Sequence, residues 1–245
     1  MKMLHFSRPP AGRLVILVVL LSAASVSGQA AETEGYPSPK RFESAIEHFE
    51  KQDHFSPPPT GAIVCVGSSS MRKWHGKIHE DLAPLTVIAR GFGGSNMNDL
   101  LYYLDRIVLK YKPRAVVIYE GDNDTAVGIS PSTIAEMFRK VATRIHQALP
   151  QARIYFLAIK PSVARWKLWP KMQQANRLIA HQCAQDPRLT FVDVATPMLD
   201  SNGQVKKDIF ESDNLHMNRK GYEIWRDVLR PILMAHEAKF EKQKH

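Results

Sequence analysis

Ala62-Ile63-Val64-Cys65-Val66-Gly67-Ser68-Ser69-Ser70 is an apolar run that passes without a break into a turn of glycine and serines. A half-buried strand alternates apolar and polar residues, whereas an unbroken apolar run of this length predicts a strand covered on both faces. Four more runs of the same character follow, at 85–89, 115–119, 154–159 and 189–194. Segments with helical periodicity lie between them. The clearest is Ser130 to Leu149, where Ser130 is placed to cap, Pro131 fits the first helical position, and Ile134, Phe138, Val141, Ile145 and Leu149 recur on one face. Further helices are expected over 97–111, 171–185 and 218–240, the last with Tyr222, Trp225, Leu229 and Ile232 or Leu233 facing inward. A short helix over 41–52 precedes Pro57-Pro58-Pro59. Five buried strands alternating with helices predict an α/β fold: a three-layer α/β/α sandwich on a five-stranded parallel sheet. Crossovers in such a sheet are right-handed and ligands gather at the carboxyl ends of the strands, so functional residues should stand just after strands.

The chain has 245 residues, 44% apolar and 23% charged, the balance of one folded globular domain. Its first thirty residues do not fit that domain. Lys2, Arg8 and Arg13 precede the apolar run Leu14 to Leu21, and the small residues Ser22 to Gly28 follow. This order predicts an export signal over 1–30, cleaved after Gly28 or Ala30, with an uncleaved N-terminal anchor as the rival reading. The protein is therefore expected to be exported, periplasmic or secreted. Residues 31–59 read as a linker and N-terminal helix, and 60–240 as the functional domain. Loss of residues 1–28 removes three positive charges and no negative one, so the net charge of +9 becomes +6. No basic cluster interleaved with aromatics marks a nucleic-acid partner, and a membrane is implied only by the export signal. Cys65 sits in a strand pattern and Cys183 in a helical one, which points to buried thiols rather than a disulfide. No Cys or His spacing suits structural zinc, and the Gly-x-x-x-x-Gly-Lys-Ser/Thr phosphate loop is absent.

Four strand ends and helix starts bear polar chemistry. The first places the hydroxyls of Ser68, Ser69 and Ser70 beside the unpaired N–H groups of a helix start. The second, Arg90-Gly91-Phe92-Gly93-Gly94-Ser95-Asn96, permits positive backbone angles and close approach to a ligand. The third, Tyr119-Glu120-Gly121-Asp122-Asn123-Asp124, offers either the N–H donors of Asn123 or an Asx turn. The fourth, Ser212-Asp213-Asn214-Leu215-His216-Met217-Asn218, brings a carboxylate within reach of an imidazole, although an exposed histidine is an equally ordinary reading. Each is weak alone; their common place at one edge of the sheet is the signal.

The set resembles the SGNH, or GDSL-type, esterase and lipase family, whose four blocks supply Ser, Gly, Asn and His in this order. The resemblance covers roughly 61–235, and it implies a flavodoxin-like SGNH hydrolase fold. It departs in the first block, where Ser68 stands for the usual Asp and Ser70 for the usual Leu; the Gly-Ser-Ser-Ser form is similar to a bacterial subgroup. Aligning Gly67 with the family glycine selects Ser69 from three adjacent serines. The resemblance then implies Ser69 as nucleophile, His216 as base and Asp213 as its orienting acid. It implies an oxyanion hole from the Ser69 N–H, the Gly94 N–H and the Asn123 amide, with no metal or organic cofactor. The expected function is a serine esterase acting on small-molecule or glycan esters, with short acyl groups favoured. Acyl transfer to saccharides and a non-catalytic glycan-binding module are the alternatives. Arg165 and Trp166, in the loop after the fourth strand, read either as contacts to a substrate carboxylate or sugar, or as packing and surface residues.

Overall fold

The computed structural model describes residues 35–241 together with Met1 and Met3, so the export segment predicted over 1–30 lies outside the described residues. Five strands form one sheet: β1 (Ile63–Gly67), β2 (Val87–Gly91), β3 (Ala115–Tyr119), β4 (Arg153–Leu157) and β5 (Leu189–Val192). All neighbours are parallel, in the order β2-β1-β3-β4-β5. This is the doubly wound order in which the chain reverses direction beside β1, opening a crevice at the carboxyl ends of β1 and β3. Every residue of β1 and β3 is buried, as their unbroken apolar runs require.

The helices are α1 (Glu43–Phe55), α2 (Ser69–Trp74), α3 (Ile78–Asp81), α4 (Met97–Ile107), α5 (Asp122–Ala126), α6 (Pro131–Ala148), α7 (Trp169–Cys183) and α8 (Arg219–Glu237). The α4, α6 and α7 helices pack side by side. Across the sheet, α2 and α8 meet through aromatic rings: Trp74 stacks on Tyr222 at 5.8 Å, and Trp225 lies 4.7 Å from Tyr119 of β3. Ser130 caps α6 through the Thr133 N–H, and Pro131 opens the helix. Both cysteines are free and buried, and burial pushes each thiol up to about 12.

Several boundaries differ from the sequence pattern. The second strand spans Val87–Gly91 rather than 85–89, because the Leu85 N–H is held in a turn by the Leu82 carbonyl. The helix expected over 97–111 ends at Ile107 and continues as a 3-10 turn over Leu109–Tyr111. The short helices α2, α3 and α5 have too few residues to show a period. Within the stretch read as linker, Pro39 is buried, its carbonyl accepts from the Tyr103 hydroxyl at 3.1 Å, and the Tyr36 hydroxyl donates to Asp124 at 2.7 Å.

Candidate active site

Strand register sets the site. Gly67 at the end of β1 pairs with Gly91 of β2 and Tyr119 of β3, so three strands end level and their following loops share one edge. Gly67 has a φ of +147°, and a Cβ on it would fall 2.1 Å from the Tyr119 carbonyl oxygen. Only glycine accommodates both the backbone angle and that approach. The chain then turns into α2, whose first residue is Ser69. Ser68 and Ser70 are buried at 2% exposure each, whereas Ser69 is half-buried. Of the three serines, Ser69 is the one hydrogen-bonded to the histidine: its Oγ lies 2.9 Å from His216 Nε2.

His216 precedes α8 by a short turn capped by Asn218, whose Oδ1 accepts from the Lys220 and Gly221 N–H groups. Asp213 binds that turn twice. Its Oδ1 accepts from the Leu215 and His216 N–H groups at 3.0 and 2.9 Å, and its Oδ2 lies 2.5 Å from His216 Nδ1. The His216 ring bond and these two backbone donors hold the Asp213 carboxyl well below the usual carboxylate range, although 46% of the side chain is exposed. An ionised Asp213 accepts a proton on Nδ1, which leaves Nε2 with its lone pair toward Ser69. Asn214, at φ +57°, lets the chain double back between the two residues. The loop after β4 steadies this turn from behind: Ala164 N–H donates to the Asn214 carbonyl at 3.0 Å and Lys160 Nζ to the Leu215 carbonyl at 2.9 Å.

Gly94 stands at φ +90° in the loop after β2. Among the described residues, neither its N–H nor that of Ser69 has an intramolecular acceptor. Asn123, on α5, donates from Nδ2 to the Ser95 carbonyl at 2.8 Å, which ties the third block to the second. The Ser95 hydroxyl donates to Glu120 Oε1 at 2.5 Å. Glu120 is fully buried, and desolvation with neighbouring Asp124 pushes its carboxyl well above the usual range. Asp124 accepts from the Met97 and Gly121 N–H groups, both at 3.0 Å, and from Tyr36; burial raises it to about 6.

Ser69, Gly94, Asn123, Asp213 and His216, the site residues expected from the sequence, thus stand at this edge. Ser69, His216 and Asp213 form one bonded series, while Gly94 and Asn123 are joined through Ser95. Glu120, Asp122, Asp124 and Lys160 support the site and were not assigned from the sequence. The signal available for Glu120 was a carboxylate directly after five apolar strand residues, where burial is the default. Arg165 points inward, its Nη1 donating to Asp122 Oδ1 at 2.6 Å and to Asn123 Oδ1 at 3.0 Å. Trp166 stacks on Trp169, with ring centroids 6.4 Å apart.

A hydroxyl, an imidazole and a carboxylate in series at the carboxyl edge of a parallel sheet are the arrangement of a serine hydrolase. The sequence profile of the GDSL-like Lipase/Acylhydrolase family matches residues 59–224. The chain belongs to that family and is a hydrolase acting on ester bonds. No curated protein matches it. Among solved structures, it is similar to a protein provisionally named as a platelet activating factor from Streptococcus pneumonia. That pair shares 20% identity at a TM-score of 0.69, over 79% of this chain and 93% of that one. A GDSL-like lipase from Bacteroides thetaiotaomicron shares 17% at 0.65, over 78% and 97%. A catalytic mutant of Axe2, an acetylxylan esterase from Geobacillus stearothermophilus, shares 15% at 0.56, over 70% and 93%.

Proposed function

We propose that the protein is an exported serine esterase that removes short acyl groups from small-molecule or glycan esters through an acyl-enzyme on Ser69. The observation that carries this reading is the series Ser69 Oγ, His216 Nε2, His216 Nδ1 and Asp213 Oδ2, with contacts of 2.9 and 2.5 Å. A serine hydroxyl is too weakly acidic to ionise usefully at neutral pH, so His216 takes its proton as Oγ attacks the ester carbonyl. Asp213 holds the ring in the accepting tautomer and stabilises the imidazolium. The tetrahedral oxyanion accepts from the Ser69 N–H, the Gly94 N–H and the second Nδ2–H of Asn123. Collapse breaks the C–O bond, and His216 returns the proton to the leaving alcohol. Water, deprotonated by the same ring, then releases the acid and restores Ser69.

The polar groups around Asn123, namely Arg165, Asp122 and the Ser95 carbonyl, favour a small acyl group over a long apolar chain. The fold shared with an acetylxylan esterase adds weight to glycan-borne acetyl esters. The basic, apolar and small-residue order of residues 1–28 supports export.

The test is a panel of p-nitrophenyl esters and acetylated oligosaccharides, with products read by mass spectrometry, on the wild type and Ser69→Ala. Ser69→Ala should lower kcat by roughly 10⁵-fold or more and abolish labelling by a fluorophosphonate probe. Full labelling of that variant would remove Ser69 from the mechanism. A preference for long acyl chains would overturn the substrate assignment.

A further inference from the structure

We propose that Arg165 is a positioning residue for ester cleavage: it locks the Asn123 amide so that an N–H, and not the amide oxygen, faces the developing oxyanion. The inference rests on reading Asn123 as an oxyanion donor, and it concerns how that donor is held. An asparagine side chain can turn over by half a rotation and exchange two donors for an acceptor, so its use in an oxyanion hole requires partners that refuse one orientation. Arg165 and Ser95 supply them. A guanidinium has no acceptor, so Arg165 Nη1, 3.0 Å from Asn123, can meet only Oδ1. The Ser95 carbonyl has no proton, so at 2.8 Å it can meet only Nδ2. Turning the amide over would set N–H against guanidinium and oxygen against carbonyl, losing two bonds and creating two repulsions. The second N–H on Nδ2 stays uncommitted, in the orientation that catalysis uses.

Arg165 is itself anchored. Its Nη1 also donates to Asp122 Oδ1 at 2.6 Å, its N–H bonds Ser162 Oγ at 3.2 Å, and the side chain is only 20% exposed. Asp122 in turn lies 3.5 Å from Lys160 Nζ, a wholly buried ammonium that donates to the Leu215 carbonyl beside His216. A cation bonded to the amide oxygen also draws electron density from the nitrogen, and the N–H becomes a stronger donor where negative charge develops. Both effects act on the transition state more than on the bound ester, so they fall on kcat.

A double-mutant cycle with Arg165→Met and Asn123→Ala tests this on the full chain, with a short p-nitrophenyl ester. Asn123→Ala should lower kcat by roughly 10²–10³-fold. Arg165→Met should lower it by about 10–30-fold with KM within about twofold, and should cost less than about threefold when Asn123 is already alanine. Arg165→Gln, whose amide can still donate to Asn123 Oδ1, should recover most of the loss, and Arg165→Ala, which removes every donor, takes the place of the methionine variant in the cycle if that variant does not fold. Equal losses from Arg165→Met with and without Asn123, or no loss in the wild type, would overturn the positioning role and leave the oxyanion assignment standing. An unchanged kcat in Asn123→Ala would overturn both.

Discussion

Replacing Gly67 with alanine separates two explanations of a strand-end glycine: turn flexibility and lack of room. The new Cβ would stand 2.1 Å from the Tyr119 carbonyl oxygen, 2.9 Å from its carbon and 3.1 Å from its nitrogen, all backbone atoms of the adjoining strand. The strand β1 cannot step aside, because it is paired on both edges and the Phe92 N–H bonds the Gly67 carbonyl at 2.8 Å on the other side. A positive φ costs an alanine roughly 1–2 kcal/mol, and overpacking typically adds about 1–3 kcal/mol. The expected destabilisation is then about 2–5 kcal/mol, or a drop in Tm of roughly 5–15 °C at this size. Gly61 is the control: its φ is +75°, but no atom lies within 4 Å of its Cβ position, so Gly61→Ala should cost the backbone part alone. Because Ser69 lies two residues on, displacement of the strand end should also lower kcat, by about 10²-fold for a shift near 1 Å. Urea unfolding and steady-state kinetics on both variants decide the matter. If Gly67→Ala melts with Gly61→Ala and keeps its kcat, close packing against Tyr119 is not what places Ser69.

Asp213→Asn should lower kcat by roughly 10³–10⁴-fold, since the amide no longer selects the ring tautomer that accepts from Ser69. With nearly half of that side chain in solvent, the Tm should hold, and a large fall in Tm would assign Asp213 to the fold instead. His75 accepts the Gly91 N–H at 2.9 Å, and burial with nearby Arg90 lowers its ring from 6.5 to about 4. As pH falls, the unfolded chain takes up this proton near 6.5 and the folded chain only near 4. Stability should therefore decline by about 3 kcal/mol across that window. His75→Gln should flatten that decline, read as urea midpoints at pH 7 and 4.5.

The sheet was readable because burial on both faces leaves only apolar side chains in β1 and β3, and runs this short, bounded by turn residues, have the length of strands rather than of helices. Ser69, Gly94, Asn123, Asp213 and His216 were readable because strand ends fix where functional groups must stand, and the family order then supplied their roles. The choice among three serines was not settled by chemistry, since a hydroxyl is the same at 68, 69 and 70. Burial and one contact set them apart: Ser68 and Ser70 turn inward at 2% exposure, and Ser69 turns to His216. Arg165 had two readings because a cation before a tryptophan suits contact with a substrate, or packing at the surface, equally well. Its carboxylate, Asp122, is 43 residues away and comes near only through adjacent β3 and β4. Sequence spacing has no access to such a pair.

Oxyanion stabilisation works only if its donors are fixed before charge develops, yet the proposed donor Gly94 follows Gly93 in the loop after β2. Flexible backbone of that kind is costly to order. Here the loop is tethered on both sides of Gly94. Phe92 bonds Gly67 and packs edge-on against Phe42 at 5.2 Å, while Ser95 is held by Glu120 and Asn123. Just beyond, Met97 and Asp99 are held by Asp124 and Asn96, and Asp99 is ion-paired to Arg41 at 2.6 Å. Burial favours the neutral form of Glu120 and raises Asp124, so this crowding of carboxyls escapes the full repulsion of three charges. Tyr36, Arg41 and Phe42 all precede the segment matched to the family, which begins at residue 59. The N-terminal arm is therefore part of what keeps the Gly94 N–H still, and the site extends beyond the four blocks that reveal it.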